Sequence, residues 1–125
     1  MREIKFRGIA LSDDKFCYGF YTKLHGDKSY IGIHTTNKWK EVYYKFQAVK
    51  ESTVGEFTGL CDKNGVEIYE GDIIRRKYGD IGKVIWIERL ACFDFEYNDY
   101  AIGLSAIISD SEIVGNIHQN PELLQ

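Results

Sequence analysis

The chain has 125 residues, 44% of them hydrophobic and 28% charged, with a formal net charge of −3. That is a single domain's length in the ordinary globular range, which excludes a disordered tail and a chain too short to bury a core. No apolar run approaches the roughly 20 residues that cross a bilayer. The start, Met1-Arg2-Glu3-Ile4-Lys5-Phe6-Arg7, has no apolar stretch behind its basic residues, so no signal peptide is expected and the expected location is the cytoplasm.

Along the chain, nine tyrosines, seven phenylalanines and two tryptophans join many Ile and Val residues, a strand-forming composition. Phe16–Tyr21 and Tyr30–His34 read as two strands of a hairpin around the turn-like residues 24–29, and Val42–Val49 as a third strand. Gly19 and Gly32 inside these patterns point to bulges or close backbone approach. Asp62-Lys63-Asn64-Gly65 is a strong turn, since Asp bonds its own backbone and Asn and Gly accept positive φ. It joins strands expected at 54–60 and 66–69.

Glu70-Gly71-Asp72 redirects the chain into a strand at 73–77, and Tyr78–Gly82 turns it again. Residues 83–88 are apolar without alternation, the pattern of a strand buried on both faces. Phe93-Asp94-Phe95-Glu96-Tyr97 alternates, with three aromatics on one face and two carboxylates on the other. Residues 100–109 leave strand and irregular structure open, 113–117 read as a last strand, and Pro121–Leu124 has room for one short helical turn. No window shows three turns of helical spacing. The expected fold is mostly β, a small SH3-like or partly open barrel built from hairpins with little helix. It forms a single domain over 1–125, with an N-terminal β lobe at about 1–50 and a barrel-like C-terminal lobe at about 51–125.

Charge divides along the chain. Residues 1–50 hold ten Lys or Arg against five acids, giving +5, and residues 51–125 hold six against fourteen, giving −8. Such asymmetry attracts a partner of opposite sign or lets one copy complement another, although a solvated surface with no partner is the commonest case.

Candidates for chemistry are few. Cys17, Cys61 and Cys92 are odd in number and lack the paired spacing of a zinc or redox motif. His25, His34 and His118 show neither a two-His zinc spacing nor a partnered nucleophile. Asp94 and Glu96 share a strand face where carboxylates can hold a metal, though one wet face gives the same pattern, and no Lys or His completes a nuclease site. The glycine of the 62–65 turn comes fourth, not sixth as an EF-hand loop needs. Gly79-Asp80-Ile81-Gly82 lacks the Lys-Ser/Thr of a phosphate loop. No cofactor is expected.

Gly71-Asp72-Ile73-Ile74 followed by Gly82-Lys83-Val84-Ile85 has the cadence of small SH3-like barrels and of the KOW motif, whose members often bind RNA, DNA or peptides. On that reading Arg75, Arg76, Lys77 and Lys83, with Arg89, contact phosphates, and Tyr78 and Trp86 stack on bases. Residues 68–90 carry five basic and four acidic residues, a thin basic footprint for a nucleic-acid binder.

Three blocks carry a more specific likeness. The central one comprises Thr58-Gly59-Leu60, then Asp62-Lys63-Asn64-Gly65, then Ile68-Tyr69-Glu70-Gly71-Asp72-Ile73. The others are the opening Arg2-Glu3-Ile4-Lys5-Phe6-Arg7 and the closing residues 113–124, from Ile113-Val114-Gly115 to Leu124. Together they resemble the YopX family of phage and prophage proteins, end to end. The chain departs from the family where Gly8-Ile9-Ala10 replaces Ala-Trp-Asp, and where Cys61 replaces a bulkier or charged residue. The resemblance implies a phage-encoded, mostly β protein and carries over no catalytic residue. Gly65 and Gly71 are expected to serve backbone angles, and Asp72 a backbone N–H. The expected role is non-enzymatic, through contacts with a phage or host protein or through homo-oligomer assembly.

Overall fold

A computed structural model describes residues 2–24 and 26–125; Met1 and His25 lie outside the described residues. These form eleven strands and five short 3-10 turns, and every strand pairing is antiparallel. The protein is mostly β. Its chain divides into two compact units, residues 1–56 and 57–125.

The first unit contains β1 (Phe6–Ile9), β2 (Phe16–Leu24), β3 (Lys28–Thr36) and β4 (Val42–Ala48), with a 3-10 turn at Glu51–Thr53. Sheet order is β4-β3-β2-β1. The start of β5 (Gly55–Cys61) adds to β1 through Phe6↔Glu56 and Arg7↔Gly55. β2 and β3 form the expected hairpin, in register from Phe20↔Gly32 to Leu24↔Lys28. β1 carries no strand signal of its own, because Arg7 and Gly8 interrupt the apolar pattern. It becomes a strand by pairing on both sides, and its buried Arg7 guanidinium lies 4.3 Å from the Phe16 ring centre.

Both interior glycines of the hairpin mark close approach. A Cβ on Gly19 would collide with the Gly32 carbonyl, and one on Gly32 would fall within the Phe20 ring.

The second unit contains the rest of β5 with β6 (Glu67–Tyr69), β7 (Asp72–Arg75), β8 (Ile81–Ile87), β9 (Cys92–Tyr97), β10 (Tyr100–Gly103) and β11 (Glu112–Asn116). The last five form a sheet ordered β10-β9-β8-β7-β11. That order does not return to its first strand, so this sheet is open rather than a closed barrel. Its core joins Ile68, Ile74, Val84, Phe95, Leu104 and Ile107. Each such side chain contributes about 1.5–3 kcal/mol on burial.

Two expectations change and one open stretch resolves. β8 alternates: Gly82 and Val84 are buried while Ile81, Lys83, Ile85 and Ile87 are only half-covered, so it is not buried on both faces. Trp86 is half-buried and meets Phe93 edge-on at 4.9 Å between ring centres. The strand at 73–77 ends at Arg75, because Gly79 at φ +96° lets Arg76 N–H reach the Asp80 carbonyl at 2.8 Å. The turn keeps the expected five residues but lies two positions earlier, at 76–80, and Ile81 and Gly82 belong to β8. The undecided stretch 100–109 resolves into β10 and 3-10 turns at Leu104–Ala106 and Ile108–Asp110, which lower Leu104 and Ile107 into the core. The one helical turn at Pro121–Leu124 is as expected.

Candidate functional site

The sheet of the first unit exposes an aromatic face. β3 and β4 pair from Tyr30↔Ala48 to Thr36↔Val42, which aligns Phe20, Gly32 and Phe46 across three strands, with His34 beside Tyr44 in the next row. Phe20 meets Tyr44 edge-on at 5.2 Å and Phe46 at 5.7 Å, and His34 meets Tyr44 at 5.8 Å. Gly32 makes this arrangement possible, since the missing Cβ is the space Phe20's ring occupies. The rings are nonetheless open to solvent: Tyr18 49%, Phe20 39%, Tyr44 52% and Phe46 46%, with Val42 at 59%. Isolated exposed apolar residues are ordinary; here Phe20, Tyr44 and Phe46 are exposed and in ring contact with one another through Phe20.

β4 is exposed on both faces and pairs only with β3 among the described residues, so it is an edge strand. Sequence reasoning found the strand and missed its role. The available signal was that Val42-Tyr43-Tyr44-Lys45-Phe46 puts bulky residues at both parities, with no clean polar face.

The turn residues of the second unit act through the backbone. Asp62 is buried, and its carboxylate accepts three backbone N–H groups: Asn64 at 2.8 Å and Val66 at 3.0 Å through Oδ1, and Ile113 at 3.0 Å through Oδ2. One side chain therefore closes the local turn and ties it to β11, fifty-one residues on. Asn64 sits in that turn, and Gly65 follows at φ +80°. Gly71 stands at φ +92°, and the buried Asp72 accepts the Tyr69 N–H at 2.7 Å.

The four candidate phosphate-binding residues do not converge. Arg75 and Lys83 lie on one face of the five-stranded sheet, where Arg75 pairs with Glu112 at 3.3 Å and Lys83 with Glu96 at 3.5 Å. Arg76, in the turn, pairs with Asp80 at 3.6 Å and leans over Phe95, whose ring belongs to the opposite, core face. Lys77 lies 5.7 Å from the ring centre of exposed Tyr78. Lys63 also reaches Glu112, at 3.6 Å. A shallow cleft lined by Ile81, Gly82, Lys83, Glu96, Asn98 and Leu124 has its two charges already paired with each other.

Asp94 and Glu96 share a face of β9, as expected, but engage different partners. Asp94 is buried, contrary to a wet carboxylate face, and accepts a 3.4 Å hydrogen bond from the Cys92 thiol; Glu96 faces Lys83. Burial, then that hydrogen bond and the carboxylate's charge, push the Cys92 thiol pKa up. Burial first, with the Asp13 charge second, does the same at Cys17, while Cys61 is exposed. Among the described residues no three His, Cys, Asp or Glu side chains gather as metal ligands. No helix among them is long and apolar enough to cross a membrane.

The chain belongs to the YopX family: the family described as YopX protein matches residues 5–125, nearly the whole sequence. Among solved structures it is similar to protein EF1440 from Enterococcus faecalis, which is 23% identical over all of both chains with a TM-score of 0.64, a likeness of fold alone. No curated protein matches.

Proposed function

We propose that this member of the YopX family is a non-enzymatic, cytoplasmic accessory protein of phage or prophage origin, and that it works through protein–protein contacts, self-assembly included. The observation that supports this reading is the open aromatic face of Tyr18, Phe20, Tyr44 and Phe46. Tyrosine and phenylalanine anchor interfaces because they bury a large area while freezing only two side-chain torsions. A second reading, nucleic-acid binding by Arg75, Arg76, Lys77 and Lys83, has weaker support, since three of the four already face carboxylates. A phosphate would have to displace those partners. A metal-dependent nuclease on Asp94 and Glu96 has less still, because the two carboxylates serve Cys92 and Lys83.

The test is purification from the host at low salt without nuclease treatment, wild type beside a Phe20→Ser, Tyr44→Ser double variant. A protein partner or self-assembly present with wild type and lost with the variant is the expected result. Bound nucleic acid that both proteins retain, and that salt removes, would replace this reading with the second one.

A further inference from the structure

The backbone of β4 points to one particular partner. At one end of the β3–β4 ladder Asn37 N–H donates to the Glu41 carbonyl at 3.1 Å, and at the other Val49 N–H donates to the Ser29 carbonyl at 3.0 Å. Hydrogen-bonded pairs recur at every second residue of an antiparallel ladder. Tyr43, Lys45 and Gln47 therefore turn their backbone groups toward β3, and Val42, Tyr44 and Phe46 turn theirs outward, where the described residues place no further strand. The outward row ends at Ala48, whose carbonyl accepts the Leu11 N–H at 3.0 Å. An open row of donors and acceptors beside exposed aromatics is a template for another strand.

Resting on the reading of this face as a contact surface, we infer that the strand it takes is β4 of a second copy. The two strands run antiparallel about a twofold axis centred on Tyr44. This register is selected by what is on the strand. Centred on Tyr44, Val42 bonds Phe46 of the second copy, Tyr44 bonds Tyr44, and Phe46 bonds Val42, so every outward group of these three residues finds a partner. On the aromatic face Val42 packs on Phe46 of the other copy, and the two Tyr44 rings, each already braced by Phe20, stand side by side. On the other face Lys45 lies opposite Tyr43, whose ring covers the lysine's methylene stem.

Neighbouring registers are worse. Centred on Lys45, two ammonium groups oppose each other at the closer, non-bonded spacing of about 4.5 Å. That register also needs Ala48, which Leu11 already holds. Centred on Tyr43, Phe46 falls opposite Lys40, which sits at φ +64° outside the strand, and only two bonding pairs remain.

Salt sets this association apart from a head-to-tail one. The first unit, residues 1–56, holds ten Lys or Arg against seven acids, +3 in each copy, so two first units brought together repel. Screening shortens that repulsion, with a Debye length of about 10 Å at 0.1 M and 3 Å at 1 M. Dimerisation through β4 therefore strengthens with salt, whereas docking of the basic half on the acidic half of a neighbour weakens.

The experiment pairs light scattering at low and high salt with cysteine cross-linking in a Cys61→Ser background, which removes the exposed thiol. Directly opposed bonded residues have Cα atoms about 5.5 Å apart, within disulfide reach. Tyr44→Cys is expected to form a covalent dimer on oxidation, and Tyr43→Cys and Lys45→Cys, each displaced by two residues from its own copy, are not. Wild type is expected to move from 14.5 kDa toward twice that mass as salt rises. Tyr44→Pro, which removes an outward N–H and leaves the β3 ladder bonds in place, is expected to stay monomeric with an unchanged circular-dichroism spectrum. Cross-linking at Lys45 instead of Tyr44 overturns the register, and a dimer that dissolves as salt rises overturns the β4 pairing itself, while self-contact stands in both cases. A monomer under all conditions with no cross-link overturns the second copy as occupant. The contact reading then fails only if the Phe20→Ser, Tyr44→Ser variant also keeps every protein partner of the wild type.

Discussion

Replacing Asp62 tests how this fold is tied together. Its carboxylate accepts the N–H groups of Asn64, Val66 and Ile113, and at 7% exposure it leaves little room for water to take its place. Hydrogen bonds to a charged acceptor are worth about 1.5–3 kcal/mol each, and losses within one network are less than additive. Asp62→Ala is therefore expected to cost about 3–5 kcal/mol, a large part of the 5–15 kcal/mol typical of a domain. With about 4 °C per kcal/mol at this chain length, the midpoint of thermal unfolding falls by roughly 12–20 °C. Asp62→Asn separates the contributions. Its carbonyl oxygen keeps Asn64 and Val66, while its amide group cannot accept from Ile113, for a loss of about 1–3 kcal/mol. Hydrogen exchange then accelerates at the Ile113 amide while the Asn64 and Val66 amides stay protected. An alanine variant that melts within about 2 °C of wild type, or an asparagine variant that frees all three amides equally, refutes the reasoning.

Two further outcomes follow from the geometry. Gly65→Val meets nothing within 4 Å of its new Cβ and is strained only by φ +80°. That strain costs roughly 1–2 kcal/mol for an ordinary side chain and somewhat more for a β-branched one. Gly82→Ala is worse, because its Cβ collides with the Glu96 carbonyl and lies 2.7 Å from the Phe95 ring. Thermal melts should rank Gly82→Ala below Gly65→Val; the reverse order would show that backbone strain outweighs the clash. Thiol labelling at pH 8, read by mass spectrometry, should reach exposed Cys61 first. Cys17 and Cys92, with raised pKa values, hold less thiolate at any given pH below those values. Asp94→Asn removes the charge beside Cys92, lowers its pKa and should speed its labelling; an unchanged rate would mean that burial alone sets it.

What was legible in the sequence was local. The Asp62–Gly65 turn follows from four neighbouring residues whose backbone preferences agree, and the aromatics of 93–97 turned to the core as their alternation required. The hairpin at 16–34 and the last strand were readable because apolar periodicity and turn chemistry occur within one short window. The same rule failed at 83–88, where an apolar run was taken for full burial although one face of β8 is only partly covered.

The sequence by itself determined the Asp62–Gly65 turn, the mostly β character and the family, because each is set by residues close together in the chain or by their order along it. Tertiary structure alone decided that Phe6–Ile9 is a strand, since only its two neighbours supply its hydrogen bonds. It decided that Arg75, Arg76 and Lys83 each have a carboxylate close by, from Glu112, Asp80 and Glu96. It also left β4 at the edge with Val42, Tyr44 and Phe46 facing outward. Which strand lies beside which is a competition among distant segments for the same backbone groups. One strand's own residues cannot reveal that it is the one left without a second neighbour.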